Sequence, residues 1–572
     1  MSTRQPINRR AFLRTVMIGA GAGLLAACGG APTAPAPTSG PAVEPTTAAP
    51  AQPVATTAAT AAPAATAAPV TDAAAGYMPS PIDGVPPAYK AFPKVFVKTV
   101  ESPPGSGGVM RTLQFVYQPP VLPHDQNTYW QGLEKRLNQR VDADLTPADT
   151  FTEKLATVLA SGSLPDVITI NPHYENAHLK AVKDGAFTDL TPYLTGDALK
   201  EYPNLASFPP YLWENVKIDG KIYGLPRETG RVSSILIFRQ DWAEKIGNPN
   251  PKNAQEFFDL MVAFSKNDPD GDGSSDTYGL AGYQYAAPWL KFMFRVPNVW
   301  RLNKDGTLTH EIETDEYKLM LEWQRKLFEA GGYHPDAAAP TFNGKEQFAS
   351  GKIGAYNDGI GALPGSTGVR FRTRAANPKA NVIGFVPVGY DGGKAVAHNG
   401  RGYWGMASIS ATAGADPQRV KELLRIMNYY AAPFGSEEWL YMRYGAEGVE
   451  HTVNPDGTRT LTEKGKQEIG DLNYLAFPPI VLSYDVPGDA EDQQALFKAY
   501  VEIGIDNPVA AFASPTEAAK GSELGTLLND SLNDIVAGRK PLSSHDQTVA
   551  AWRSRGGDQI RAEYQEQLAK KA

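Results

Sequence analysis

The chain has 572 residues, with 54 Lys and Arg against 62 Asp and Glu, a formal net charge of −8 at pH 7, and one cysteine. A lone cysteine excludes an intrachain disulfide, and the acidic balance argues against nucleic acid or an anionic lipid surface as a partner. From about residue 105 the composition is globular, and roughly 460 residues exceed what one core usually holds, so two domains are expected.

The first segment sets the compartment. Arg9 and Arg10 precede Phe12, Leu13 and Arg14, and an uncharged stretch then runs from Thr15 to Ala27. A basic start followed by a short apolar run describes an export signal, and the paired arginines resemble a twin-arginine signal. The apolar run falls short of the roughly 20 residues that a membrane-spanning helix needs. "LAAC", ending in Cys28, resembles a lipobox, whose cysteine becomes the acylated, palmitate-bearing first residue. Residues 1–27 are therefore expected to be removed. They hold four arginines and no acids, so their loss takes the net charge from −8 to −12. Residues 28–104 are expected to be a lipid-anchored linker and lead-in. The stretch 31–76 is almost wholly Ala, Pro and Thr, and cannot bury enough apolar surface to offset its ordering entropy.

Strands and helices then alternate. "RTLQFVYQ" (111–118) alternates like a strand. "DQNTYWQGLEKRLN" carries Trp130, Leu133 and Leu137 on one helical face, which makes Trp130 a core residue. "FTEKLATVLASG" is a second helix ended by Gly162, and "PDVITI" (165–170) is a buried strand. "SILIFRQDW" (234–242) repeats the pattern, with Arg239 and Asp241 as a structural polar pair. The helix of "AQEFFDLMVAFSKND" follows, with Phe257, Leu260 and Phe264 on one face. A long helix is expected at 315–332, a strand at 353–356, and a helix at 419–430 with Val420, Leu423, Leu424 and Met427 inward. This alternation implies α/β domains with parallel sheets.

"DPDGDGSSDTYG" (268–279) interrupts the rhythm with four like charges. Asp268, Asp270, Asp272 and Gly273 fit the opening of an EF-hand-like calcium loop. Alternate carboxylates turn inward on one hard cation, and the glycine permits the bend. Ser274 would add a backbone carbonyl and Asp276 a further carboxylate. The glutamate that closes an EF-hand is replaced by Gly279. Calcium is therefore the expected cofactor, in a structural role, because no base or nucleophile stands nearby to make it catalytic.

No nucleophile elbow, phosphate-binding loop or zinc-binding histidine motif occurs. Carboxylate pairs leave an exported glycoside hydrolase or polysaccharide lyase as an alternative. A surface adhesin is a second alternative.

In order and spacing, "LASGSLPDVI", "DGKIYGLPRE", "FRQDWAEKIG", "DPDGDGSSD", "FASGKIGAY" and "RYGAEGVEH" resemble the extracellular solute-binding lipoproteins of carbohydrate ABC importers. The nearest branch is the large one that includes the alginate-oligosaccharide-binding proteins. The resemblance implies a two-lobed, periplasmic-binding-protein-like α/β fold with a hinge and a ligand cleft. It implies no enzymatic activity, an oligosaccharide ligand, permease subunits as partners, and a monomer held to the bacterial membrane by its lipid. Lobe one is expected at 105–235 and 386–412, lobe two at 236–385 and 413–545, and a C-terminal helix at 546–572. Crossings are expected near 223–230, 384–393 and 410–419. On that topology the expected sugar contacts are Trp404, Tyr403 and Arg401, then Trp289 and Tyr285, then Arg227 and Glu228, and finally Asn357 and Asp358.

Overall fold

The computed structural model describes residues 76–571, apart from 119, 171–174, 233, 339–341, 366–367, 471 and 483–485. The expected export signal, Cys28 and most of the linker lie outside the described residues.

Two sheets organise the chain. Their strands, in chain order, are β1 (Val109–Val116), β2 (Arg140–Pro147), β3 (Val167–Ile170), β4 (Leu225–Val232), β5 (Ile235–Arg239), β6 (Tyr278–Leu280), β7 (Ile353–Asp358), β8 (Val382–Phe385), β9 (Ala397–Ile409) and β10 (Gly504–Ile505). The first sheet has six strands in the order β10–β9–β3–β1–β2, with β4 also on β9; the second has four, in the order β6–β7–β5–β8. β1 is parallel to both β2 and β3, as the helical connections between them require. Thr128–Leu137 is one of those helices. Asn127 caps it by accepting the Trp130 N–H at 2.8 Å, and it buries Trp130, Leu133 and Leu137 under the sheet.

Each sheet has its own core. The first gathers Leu113, Phe115, Leu133, Phe151 and Ile168. The second gathers Phe238, Phe257, Phe264, Leu321 and Ile353. Beside the lead-in, three segments pass between them. β4 starts in the first core with Leu225 and ends in the second with Val232. β9 runs the opposite way, from Ala397 in the second to Tyr403 and Met406 in the first. The two pair antiparallel, with register shifts between Asn399 and Met406. Gly402 stands at those shifts with φ 87°, a conformation other residues rarely adopt. A Cβ there would also come within 2.4 Å of the Tyr211 ring. The third passage is the stretch from Ala476, in the first core, to Leu482, in the second.

Two expected boundaries move. The second crossing lies in β9, beyond 384–393, and the third lies at 476–482, far from 410–419. The helix Pro417–Tyr430 buries Val420, Leu423, Leu424 and Met427 in the first core, and the stretch through Ala476 stays with it. The reason is local: β9 ends in the first sheet at Ile409, and a short connection keeps the following helix beside it. Residues 413–476 thus pack with lobe one and not with lobe two. The expected C-terminal helix is two helices, Ser544–Trp552 and Asp558–Lys571, joined by a wide turn with Gly556 at φ 156°. Trp552, Ile560 and Tyr564 pack into the second core.

The lead-in is a third departure, because residues 77–100 are part of the fold. Val85 and Ala88 join the second core, Tyr89 and Phe92 pack with Phe434 and Trp439 in a small cluster of their own, and Val100 lies against the first core. The Glu438 carboxylate accepts the N–H groups of Thr99 and Val100 at 3.0–3.1 Å. The Gln494 amide donates to the carbonyls of Met78, Pro79 and Pro86 at 3.5, 3.0 and 3.4 Å. Regular secondary structure is scarce here, but the spaced aromatic side chains supply the burial that composition alone hides.

Candidate functional site

A cavity of about 630 Å³ opens where the three passages run together. β4 contributes Glu228 to its wall, and β9 contributes Arg401, Tyr403 and Trp404. The end of β7 contributes Asp358, the turn after it contributes Gly359 and Gly361, and the third passage contributes Ile480. Its walls therefore come from both cores.

β9 sets the ring geometry. Adjacent strand residues face opposite sides: Trp404 is 37% exposed and Tyr403 is 7% exposed. The Tyr403 hydroxyl donates to the Asn215 carbonyl at 3.3 Å and accepts from the Arg401 guanidinium at 3.3 Å. The Asn215 amide donates to the Arg401 carbonyl at 2.8 Å, so the bulged strand is fixed from beneath.

β4 sorts Arg227 from Glu228 by the same alternation. Glu228 faces the cavity, and burial pushes its carboxyl up to about 7. Its two oxygens accept from the Tyr211 hydroxyl at 3.4 Å and the Ile480 N–H at 3.1 Å, and both contacts oppose the rise. Arg227 points the other way and is 1% exposed. Its guanidinium lies 4.1, 4.5 and 4.9 Å from the ring centres of Tyr474, Phe477 and Phe115. The expectation that Arg227 faces the cavity is corrected: it is held within an aromatic shell behind the wall.

Asn357 and Asp358 divide likewise. Asp358 lines the cavity, accepts the Gly359 N–H at 2.7 Å, and is raised above the usual carboxylate range by burial. Asn357 accepts the Ser234 hydroxyl instead and lies outside the lining.

Trp289 is a clear correction. It is 0% exposed and sits in the second core, with its ring centre 5.4 Å from Phe257 and 5.8 Å from Phe385. Its indole N–H donates to the Tyr500 hydroxyl at 3.1 Å. The helix Tyr283–Met293 is apolar on most sides, and such a helix is buried. Tyr285 falls in this helix, and its side chain lies outside the described residues. The expected Arg239–Asp241 pair forms, with guanidinium-to-carboxylate bonds of 2.9 and 2.7 Å.

Several lining residues had no signal that singled them out. Phe497 comes from the helix Asp489–Glu502 and is buried like any core residue. Ile480 belongs to "FPPIV", whose paired prolines mark an extended, non-helical segment.

The acidic loop is separate from this cavity. Asp268, Asp270 and Asp272 each bring one carboxylate oxygen to within 4.8 Å of the others. Asp268 accepts the Gly271 and Gly273 N–H groups at 2.8 and 3.1 Å, and Asp272 accepts that of Ser274 at 2.7 Å. Crowding shows in the protonation: burial and its acidic neighbours hold the Asp270 carboxyl above its ordinary value. These three residues fit a hard divalent cation by donor type and spacing. Asp276 stands outside the group and is ion-paired with Lys352, so the lysine competes for the fourth carboxylate expected in the cage.

Residues 125–428 match the family described as bacterial extracellular solute-binding protein. Among curated proteins, the polygalacturonan/rhamnogalacturonan-binding protein YtcQ of Bacillus subtilis is 28% identical over 451 residues, 76% of this chain and 86% of its own. Lipoprotein LipO of the same organism is 26% identical over 469 residues, 77% of this chain and 88% of its own. Among solved structures, the ABC-transporter substrate-binding protein FusA of S. pneumoniae, in complex with kestose, superposes with a TM-score of 0.61 at 18% identity. That match covers 81% of this chain and 99% of FusA. An EF-hand mutant of FusA has also been solved. The superposition shows a shared two-lobed fold.

Proposed function

The chain belongs to the bacterial extracellular solute-binding proteins, and from that premise we propose that it captures an oligosaccharide in the cavity at the crossing and delivers it to the permease of an ABC importer. The observation that carries this reading is the cavity wall. Trp404 presents a partly exposed ring, suited to the C–H face of a pyranose, while Glu228, Asp358 and Arg401 offer polar groups to its hydroxyls. A few fixed polar groups around an apolar platform are the usual makeup of a small-ligand site. The saccharide named for YtcQ and the kestose in FusA support the ligand class.

On this reading Trp404 is the stacking platform and Glu228, about half protonated near neutral pH, donates a hydrogen bond to a sugar oxygen in its protonated form. The bulged pair of β4 and β9, with Gly402 at its register shift, is the hinge. A sugar touching both lobes favours the closed form by its differential affinity for it. Calcium, held by Asp268, Asp270 and Asp272, pins the acidic loop. Cys28 carries the lipid, a role that kinship with LipO supports, and the protein works as a monomer on the outer face of the membrane.

The test is a thermal-shift screen with neutral and acidic oligosaccharides, followed by calorimetry and by analysis of the recovered sugar. Stoichiometric binding of an intact sugar is expected. If none of the sugars binds, the reading fails. If the sugar returns cleaved, the two carboxyls on one cavity belong to a glycoside hydrolase instead.

A further inference from the structure

A second cavity, of about 700 Å³, lies across residues 477–481 from the first, and the two share Glu228, Ile480 and Val481. Its chemistry is different. Arg443, Arg459 and Lys466 line it, and Glu228 is the one acid in its described lining. In a chain of net charge −8, three converging cations with so little compensation are unusual.

Each cation is poorly matched within the protein. Arg443 is exposed, and its neighbour on the cavity wall is the Phe477 ring, 5.8 Å from the guanidinium carbon. Among the described residues, no carboxylate lies within ion-pair distance of it. Arg459 is held rigidly: its guanidinium stacks on Phe92 and Phe96 at 4.3 and 4.8 Å and donates one N–H to the Gly457 carbonyl at 2.6 Å. Its Nε–H is buried without an acceptor among the described residues. Desolvation lowers its pKa although the Glu447 charge opposes the fall, the mark of a half-buried charge not fully offset. Among the described residues Lys466 pairs only with Glu463, whose carboxylate is almost wholly in solvent, and such a pair is easily given up. A solvated basic face would spread its charges apart; here they converge on a walled cavity with an aromatic ring beside them.

We infer that this second cavity is the subsite for an anionic substituent on the bound sugar. Arg443 receives the anion, Arg459 and Lys466 complete its surroundings, and Phe477 flanks the ring that bears it. The planar guanidinium suits a carboxylate in two-point contact, which makes a uronic acid the best-fitting source; a sulfate ester is the other source of the same chemistry. This rests on the saccharide reading of the first cavity and narrows it, since the shared wall lets one oligosaccharide chain span both.

The experiment measures calorimetric affinity for trimers of galacturonate, glucuronate and mannuronate. Each is tested beside its carboxyl-reduced neutral counterpart and beside that counterpart carrying an anionic 6-sulfate ester. At least one anionic trimer should bind at least about tenfold more tightly than its neutral counterpart, and the advantage should shrink as salt is raised. Preference for uronate or for sulfate identifies the source. In R443Q, and separately in K466Q, the anionic trimer should lose about tenfold while a neutral sugar changes by less than about twofold. Melting curves show whether each variant is folded. Equal or tighter binding of the neutral trimers overturns the anionic subsite and leaves the saccharide reading intact. So does an anion preference that survives both variants. Failure of every sugar, charged or neutral, overturns both.

Discussion

Trp404 keeps 37% of its surface exposed at the cavity wall, while Trp289 keeps none, and the two rings should respond differently to removal. Trp404→Ala is expected to weaken sugar binding by about 1–3 kcal/mol, by analogy with stacking of bases on aromatic rings. Its melting temperature should fall less than that of Trp289→Ala, because the Trp289 ring is wholly buried and the Trp404 ring is not; calorimetry beside a melting curve checks both halves. Glu228 gives a pH signature. Its folded pKa, about 7, lies above its ordinary 4.5 because the charged form is desolvated. Between those values the folded state holds a proton that the unfolded state has released, so this group's contribution to stability falls as pH rises and is fully lost above 7. Relative to Glu228→Gln, the wild type should lose up to about 3 kcal/mol across that window, read from urea melts at pH 4.5 and 8. A constant difference between the two proteins would refute the assignment. These residues also mark what the sequence could reveal. Alternation along a strand predicts that Arg227 and Glu228 cannot share a wall, and the near-continuous apolar run around Trp289 signals burial. Which face of β9 would carry an exposed ring was not legible, because glycines at 400, 402 and 405 break its period.

Whole elements were easier to foresee than their partners. The helix over 254–266, the strand at 353–358 and the helix over 417–430 follow from apolar spacing, which local burial enforces. Sheet order and the location of the third passage depend on contacts hundreds of residues apart, and no local pattern encodes them. The acidic loop is the intermediate case: its donor spacing was legible, but the lysine from residue 352 was not, since it arrives from a neighbouring strand edge. Calcium should raise the melting temperature and a chelator should reverse the rise. Binding to the folded state alone contributes about 1.4 kcal/mol at ten times the dissociation constant. Asp270→Asn should abolish the response. A calcium effect unchanged in that variant would place the ion elsewhere.

Two α/β domains were anticipated from length and rhythm and a two-lobed arrangement from the family resemblance, and the match to known solute-binding folds agrees. Attachment is the whole-molecule property that remains to be tested: Cys28→Ala should leave the melting curve unaltered and move the protein from the membrane to the soluble fraction. Retention on the membrane would mean that another part of the protein holds it there. The packed lead-in gives that attachment a mechanical character. Tension from an anchor at Cys28 would enter the fold through residues 76–100, which grip both cores beside the passages that link them. If the passages are the proposed hinge, the lever arm there is short, so swinging either lobe would move the point of attachment little and do little work against the tether. The Gln494 amide and the Glu438 carboxylate act as two rivets on that strip, so a load from the proposed anchor would be shared in shear along it, and the proposed closure of the cavity would not haul on the membrane.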